Sequence, residues 1–223
     1  APAMEHYEKS LRIKEEIGDR RGQAYSRNSI GNIHYARGDY ALALEHLTRS
    51  LDIQKEMGFK TIRCETMCEI AKARIHLVRS AVSARHSAFR HAGVADSPQV
   101  GQLSQAPALS RAEAKEDIAE GLAISKELKS VADEARCHTA YGLLYSESRE
   151  FGQAGEHYEK AINLYAELKQ KNELAHACLD YGKMLKASGD NERAREKLAK
   201  AKALFGEMKL DYWAGKADQE LVK

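Results

Sequence analysis

A 40-residue repeat runs through most of this chain. Three of its copies read AMEHYEKSLRIKEEIGD from Ala3, ALEHLTRSLDIQKEMGF from Ala43 and AGEHYEKAINLYAELKQ from Ala154. The opening small residue recurs at spacings of 40, 71, 40 and 40, at Ala3, Ala43, Ala114, Ala154 and Ala194. The interval of 71 exceeds the period by 31 residues, so one unit carries an insertion of that length. Internal repeats of this size indicate stacked supersecondary units that bury a core between neighbours.

Within each unit the apolar and small positions fall at i, i+4, i+7, i+8 and i+10, which is one side of an amphipathic α-helix. A second recurring set lies upstream and pairs a bulky residue with Gly or Ala: Ile30-Gly31, Ile70-Ala71, Tyr141-Gly142 and Tyr181-Gly182. A small residue there lets a neighbouring helix come close. Each unit is therefore predicted to be a pair of antiparallel helices.

The predicted turns within the pairs contain Gly38-Asp39 and Ser188-Gly189-Asp190. Gly ends a helix in the left-handed conformation, and Asp caps the start of the next helix. Arg149-Glu150 replaces the Gly-Asp pair in the third full unit, so a less favourable turn is expected there.

The spacing predicts an all-α chain of about ten antiparallel helices forming a single domain over residues 1–223. A first helix near 3–17 is the second half of a repeat. Four pairs follow at about 20–57, 60–128, 131–168 and 171–208, and a last helix near 211–223 covers the open end. A sequence that begins in mid-repeat is expected to belong to a longer protein. Its exposed first helix is a candidate edge for self-association.

The run NSIGNIHYARGDYALALEHLTRSLDI, residues 28–53, resembles the tetratricopeptide repeat. The matching aliphatic, glycine, aromatic and small positions are Ile30, Gly31, Tyr35, Gly38, Asp39, Tyr40, Ala43, Leu47 and Ser50. The usual period is about 34 residues with a proline closing the second helix. This chain has a longer period and lacks that proline, so it is similar to the longer-helix variety found in receptor-adaptor and bacterial signalling proteins.

The resemblance implies a right-handed α-α superhelix, a tetratricopeptide-like solenoid. It also implies a non-enzymatic scaffold that binds a partner peptide or helix in a concave groove lined by the first helix of each pair. The positions that match the groove are Tyr25, Asn28, Asn32, Tyr35, Glu65, Lys72, Arg136, Thr139, Leu143, His176, Leu179, Lys183 and Lys186. Asn28 and Asn32 carry amides that can pair with a peptide backbone, and Tyr35 adds apolar area with a polar tip.

Residues 80–110 form the insertion, within the second full repeat. Its first half can extend the preceding helix, whereas Ser97-Pro98, Gly101 and Ala106-Pro107 predict a flexible loop over 94–110. Five arginines against one acid occur between 74 and 111. One interpretation is a solvated loop. The other is a basic arm for an acidic partner, an anionic membrane or nucleic acid, with contacts from Arg79, Arg85, Arg90, His86 and His91. Phe89 is the only interleaved aromatic residue, which disfavours nucleic acid.

Composition excludes several classes of protein. With 35 basic and 33 acidic side chains, net charge gives no general reason to expect nucleic acid or acidic substrates. No stretch approaches the ~18 apolar residues of a membrane span, and the first residues lack a signal-peptide layout. Four irregularly spaced cysteines are typical of reduced thiols, so a cytoplasmic location is predicted.

No residue constellation predicts catalysis, a metal or a cofactor. Cys64 and Cys68 can share a helix face, but a zinc site needs four ligands and His76 lies two turns further along. No G-x-S-x-G, P-loop or dinucleotide motif occurs. The recurring Glu-His pairs, such as Glu156-His157, are expected on the solvent side of the second helices. A protein or peptide partner is the favoured interpretation. A regulatory repeat region of a larger bacterial signalling protein is the alternative.

Overall fold

Ten α-helices make up the part of the chain that the computed structural model describes, residues 2–92 and 99–222, with side chains described for 3–80 and 111–222. The prediction of an all-α fold is confirmed. In order the helices are α1 (Pro2–Glu16), α2 (Arg20–Arg37), α3 (Tyr40–Glu56), α4 (Arg63–Ala92), α5 (Gln99–Glu127), α6 (Val131–Glu147), α7 (Phe151–Glu167), α8 (Lys171–Ser188), α9 (Asn191–Glu207) and α10 (Asp211–Val222).

The helices belong to two compact units. Unit 1, Ala1–Leu128, contains α1 to α5, and unit 2, Lys129–Lys223, contains α6 to α10. Within them α2–α3, α4–α5, α6–α7 and α8–α9 form the four predicted hairpins. We call α2, α4, α6 and α8 the first helices and α3, α5, α7 and α9 the second helices. The first helices also touch one another inside each unit, α2 with α4 and α6 with α8. The single domain over 1–223 stays a prediction.

A bulky side chain of the second helix packs onto a glycine of the first helix in three of the hairpins. A Cβ added to Gly31 would lie 2.6 Å from Cγ of Leu47, and one added to Gly182 would lie 2.7 Å from Cγ of Leu198. At Gly142 the added atom would lie 2.9 Å from the ring of Tyr158. These separations are shorter than van der Waals contact, so glycine is required for the helices to pack at this spacing.

The turns follow the expected chemistry with one exception. Gly38 and Gly189 adopt left-handed φ values of 86° and 89°, and the Asp190 side chain accepts from the Arg193 N–H. Asp39 takes the equivalent position but makes no cap bond through its side chain, so that part of the prediction is wrong. Its carboxylate lies 3.5 Å from Nδ1 of His34 instead. Arg149 has φ 61° at the position that Gly38 and Gly189 take in two other hairpin turns, which confirms a less favourable turn there. Lys129, Lys169 and Lys209 also have positive φ, at turns between hairpins or before the last helix.

The insertion lengthens both helices of the second hairpin. α4 has 30 residues against 18 in α2, and α5 has 29 against 17 in α3. The prediction of a loop over 94–110 is therefore wrong for residues 99–110, which lie in α5. Helix-breaking propensity at Pro107 is a local preference, and packing within a hairpin overrides such preferences. Residues 93–98 lie outside the described part of the chain.

Partly exposed ion pairs join the two helices of the second hairpin, and the cysteines lie in the core. Arg74 of α4 pairs with Glu113 and with Asp117 of α5. All four cysteines are buried, as their usual preference for the core predicts. Among the described residues, no helix has both the length and the apolar character needed to cross a membrane.

The glycine contacts predict opposite effects for two substitutions in unit 2. Gly182→Ala should destabilise the protein by about 1–3 kcal/mol, because its methyl group overlaps Leu198. Gly206→Ala in α9 meets no atom within 4 Å, so it should leave stability unchanged or raise it by up to about 1 kcal/mol. Urea unfolding followed by circular dichroism measures both. Equal midpoints for the two variants would contradict the close-contact account.

Candidate binding surface

The predicted groove residues of unit 1 lie where α2 and α4 meet. Tyr25, Asn28, Asn32 and Tyr35 are spaced at i, i+3, i+7 and i+10, so they share one side of α2. Asn28 contacts Thr66 of α4, and Tyr35 contacts His76 of α4. This side of α2 therefore faces α4. We call these four residues together with Glu65, Glu69, Lys72 and His76 of α4 the α2–α4 seam.

Asn28 belongs to a buried polar network rather than to an open surface. It is 7% exposed, and its Oδ1 lies 3.0 Å from Oγ1 of Thr66. Gln54 of α3 donates from Nε2 to Thr66 Oγ1 and to Ser50 Oγ, both at 2.9 Å. Ser50 in turn donates to the carbonyl of Ala24 at 2.7 Å. The prediction that Asn28 meets a peptide is corrected: its amide holds α2 against α3 and α4.

Asn32 lies one turn further along the same side and is only partly buried. Its Oδ1 is buried and has no hydrogen-bond partner among the described residues. A buried acceptor without a partner costs about 1–3 kcal/mol, so such atoms are rare in folded proteins. Asn32 is thus a seam residue whose side chain has unused capacity to accept a hydrogen bond.

Charged residues of both signs flank Asn32 on α4. Lys72 donates from Nζ to Glu69 Oε1 at 2.8 Å, and the two side chains are 18% and 16% exposed. Glu65 is partly buried one turn before Glu69. Because water screens this pair poorly, its electrostatic interaction with a bound partner is stronger than on an open surface.

Aromatic residues mark the two ends of the seam. Tyr25 is 39% exposed near the start of α2, and the Arg21 guanidinium lies 5.9 Å from its ring centre. The same guanidinium lies 5.8 Å from the ring of Phe59. At the other end Tyr35 packs edge-on against Tyr40 at 5.6 Å. Tyr35 therefore fixes α2 against its neighbours, whereas Tyr25 offers an accessible ring.

On α6 the predicted positions are partly buried and held by local bonds. Arg136 donates to Asp133 Oδ1 at 2.8 Å, and Thr139 donates to the carbonyl of Ala135 at 3.0 Å. Leu143 is partly buried one turn further on. These three residues form a short mixed surface in unit 2.

On α8 the structure corrects several predictions. Leu179 is 1% exposed and belongs to the core of unit 2, so it cannot line a groove. His176 packs edge-on against Phe205 and Trp213, with ring centres 4.9 and 4.5 Å away. Trp213 accordingly packs the last helix against α8 and α9.

Two lysines of α8 remain at the surface to different degrees. Lys186 donates to the carbonyl of Glu220 in α10 at 2.7 Å, which ties the last helix to α8. Lys183 is exposed and lies 3.4 Å from Asp180. Of the basic residues predicted to make contacts at the insertion, only Arg79, just before residue 80, has a described side chain, and it is exposed. Arg85, Arg90, His86 and His91 fall outside the described side chains.

The histidines of the second helices are packed, contrary to the prediction of a solvent position. His157 of α7 lies with Nδ1 2.9 Å from Nδ1 of His138 in α6. Its ring also contacts Tyr141 and Tyr145, at centre distances of 4.8 and 5.5 Å. His46 stacks on His34 at 5.7 Å in the corresponding place of unit 1. The sequence feature that could have predicted this packing is the set of aromatic and histidine residues on the first helix that faces each of these histidines.

Burial and a neighbouring imidazole lower the pKa of both histidines. For His157, burial comes first and His138 second, and together they lower the pKa from 6.5 to about 4. For His46, burial again comes first in lowering the pKa, followed by His34. Both imidazoles are therefore held in the neutral form near neutral pH.

Known proteins resemble this chain in the repeat and in the fold. A family model for the tetratricopeptide repeat matches residues 3–56, which span α1 to α3. Residues 3–56 therefore have the sequence of a tetratricopeptide repeat. The four hairpins of the chain repeat the helix–turn–helix unit of that family, with longer helices in the second hairpin. No curated protein has a sequence that matches this one significantly.

Two solved structures share the tetratricopeptide fold with this chain at low sequence identity. The apo form of RapI superposes with a TM-score of 0.57 and 15% identity, over 96% of this chain and 67% of that chain. A point variant of a Podosopora anserina putative kinesin light chain with nearly identical TPR-like repeats gives 0.50 and 16%, over 93% and 87%. At such identities the likeness concerns the fold and leaves the binding residues to be argued from this structure.

The lowered pKa of His157 predicts loss of stability in acid. Between pH 6.5 and about 4 the unfolded chain binds a proton at this residue that the folded chain does not. Stability from the neutral imidazole is thus complete above pH 6.5 and is lost as the pH falls towards 4. Urea unfolding at about pH 7.5 and about pH 5 should show a smaller pH difference for His157→Gln than for wild type.

His6→Gln is the matched control, because His6 holds the same repeat position in α1 but is exposed. It should leave the pH difference as in wild type. If both variants changed the pH difference equally, packing against His138 would not be the cause.

Proposed function

We propose that this protein is a non-enzymatic interaction scaffold that binds a peptide or helix of a partner protein along the α2–α4 seam. The observation that supports this proposal most directly is the buried Oδ1 of Asn32, which has no hydrogen-bond partner among the described residues. A backbone N–H of a bound peptide would supply the missing donor after the partly exposed Asn32 side chain turns this oxygen towards the ligand. The fold shared with other tetratricopeptide repeat structures supports a scaffold role by analogy.

The surroundings of Asn32 favour a peptide over a small molecule. The seam carries an accessible ring at Tyr25 and a charge pair at Lys72 and Glu69. An elongated ligand with one apolar side chain and one charged group matches this order of contacts. The seam lies on paired helices, so little conformational entropy is lost by the scaffold when the partner binds.

We propose a second, weaker contact surface within unit 2. It consists of Arg136, Thr139 and Leu143 of α6 and Lys183 of α8. These side chains are partly or fully accessible, and Arg136 and Lys183 each lie beside a carboxylate, Asp133 and Asp180. A regulatory role in a larger signalling protein and binding through the basic insertion stay predictions.

The proposal predicts that Asn32→Ala combined with Lys72→Glu abolishes partner capture. The first change removes the free acceptor, and the second places a carboxylate beside Glu69 and repels an acidic group of the partner. Affinity capture from a lysate of the source cells, read by quantitative mass spectrometry, should show at least about a tenfold loss of specific partners. Circular dichroism should show the same helical content as wild type.

Two control proteins make the result specific. Asn163→Ala with Lys200→Glu makes the same chemical changes at exposed sites on second helices and should capture partners normally. A deletion of 80–110 restores the 40-residue period and removes most of the basic insertion. Capture of the same proteins by the seam variant and wild type would refute the proposal. Loss with the deletion alone would place binding in the insertion.

A further inference from the structure

The facing histidines of α6 and α7 occupy a pair of positions that recurs in every hairpin of the repeat. By the 40- and 71-residue intervals, the pairs at these positions in the four hairpins are Arg27 with His46, Met67 with Asp117, His138 with His157, and Cys178 with Lys197. The third hairpin is the one that carries an imidazole on both helices. The same backbone plan therefore holds a different chemistry there.

The two imidazoles meet through the same ring nitrogen. Nδ1 of His138 lies 2.9 Å from Nδ1 of His157, and the ring centres are 5.0 Å apart. A neutral imidazole has one N–H and one nitrogen lone pair, so one Nδ1 donates to the other. When the donor ring carries its proton on Nε2 instead, both Nδ1 atoms present lone pairs. That change of tautomer needs no net loss of a proton.

The separation of the two nitrogens favours one coordination geometry. With metal–nitrogen bonds of about 2.0–2.1 Å, two donors 2.9 Å apart subtend an angle of about 90° at an ion. Neighbouring ligands of a tetragonal ion such as Cu²⁺ or Ni²⁺ have this angle. A tetrahedral Zn²⁺ would need the nitrogens about 3.3 Å apart at the same bond lengths. Both rings must turn so that their lone pairs converge on the ion rather than on each other.

Charged groups around the pair favour a cation. Glu134 lies one turn before His138 in α6, with Oε1 4.0 Å from Nε2 of that histidine. A carboxylate on this side stabilises the Nε2–H form and leaves Nδ1 as the metal ligand, as is usual for metal-binding histidines. The charges that act on His157 besides are Lys160 and Glu156. Two carboxylates thus accompany one ammonium group.

The corresponding place in the first hairpin disfavours a metal ion. Arg27 takes the position of His138 there, and His46 stacks on His34 with ring centres 5.7 Å apart. Burial lowers the pKa of His46 most, followed by His34 and Arg27, and Arg49 lowers it further. Two guanidinium groups near this imidazole repel a cation. His46 is therefore an internal control for the third hairpin.

We propose that His138 and His157 bind one tetragonally coordinated divalent ion, Cu²⁺ or Ni²⁺, through their Nδ1 atoms at neighbouring positions. Within the described part of the chain, no third histidine, cysteine or carboxylate joins this pair, so water or a group of a bound molecule fills the other positions. His138 is 9% exposed and His157 is partly buried, so the ion enters past His157. The site lies in unit 2, and the proposal does not rest on the proposed function.

Isothermal titration calorimetry of the full chain with NiCl₂, at about pH 7.5 and without an affinity tag, tests the site. Ni²⁺ is the probe because, unlike Cu²⁺, it does not oxidise cysteine thiols. Wild type should bind one Ni²⁺ per chain and should bind Zn²⁺ more weakly. His157→Gln should weaken Ni²⁺ binding at least about tenfold, because one of the two ligands is lost. His46→Gln, at the same repeat position in α3, should bind Ni²⁺ as wild type does.

His157→Lys is a second variant that keeps the test valid if His157→Gln folds poorly. The fourth hairpin already carries a lysine at this position, Lys197 in α9, and circular dichroism checks the helical content. Ni²⁺ should raise the urea midpoint of wild type and leave that of His157→Lys unchanged, because a ligand stabilises the state that binds it.

Three results would overturn the proposal. They are no saturable Ni²⁺ binding by wild type, unchanged affinity in both His157 variants, and an equal loss of affinity in His46→Gln. Tighter binding of Zn²⁺ than of Ni²⁺ would overturn the tetragonal geometry.

Discussion

Each hairpin depends on how closely its two helices can approach. In three hairpins that approach is made where Leu47, Tyr158 or Leu198 lies on the backbone of a glycine in the preceding helix. A close contact at this point brings the flanking small residues together, so Ala43, Ala154 and Ala194 are at most 2% exposed. The second full repeat has Ala71 and Ile118 at the corresponding positions and buries both. The helix spacing is therefore set by a small residue packed against a bulky one, rather than by one particular residue type. The rest of the packing depends on this spacing.

The spacing of the repeats was sufficient to predict the helices and their pairing, because both follow from short-range periodicity and turn residues. It failed where a local preference met a longer-range contact. Residues 99–110 contain Pro107, which favours a loop, yet they continue α5 in the hairpin with α4. Asp39 has the residue type of a helix cap, but its carboxylate is nearer to His34 than to a backbone N–H of α3. A repeat pattern shows neither the pairing of residues 99–110 with α4 nor the contact between Asp39 and His34.

The binding surface was predictable only as a side of a helix. Tyr25, Asn28, Asn32 and Tyr35 do share one side of α2, as their spacing requires. Which of them can bind a partner depends on α4, since Thr66 hydrogen-bonds to Asn28 whereas none of the described residues hydrogen-bonds to the buried Oδ1 of Asn32. For the same reason Leu179 was assigned to a groove although the core of unit 2 buries it.

Corresponding positions of the two units carry different chemistry on the same backbone plan. In unit 1 Ser50, Gln54 and Thr66 form a buried polar chain, while their counterparts in unit 2 are Ala161, Tyr165 and Ala177, all at most 3% exposed. Asn32 likewise corresponds to Leu143. A polar chain must be matched donor to acceptor, so it stabilises one register of α2 against α4, whereas an apolar contact tolerates small shifts. The seam that holds Asn32 is therefore the more rigid of the two surfaces. A fixed geometry is what a directional hydrogen bond to a partner backbone requires, and the apolar surface around Leu143 is suited instead to partners recognised by shape.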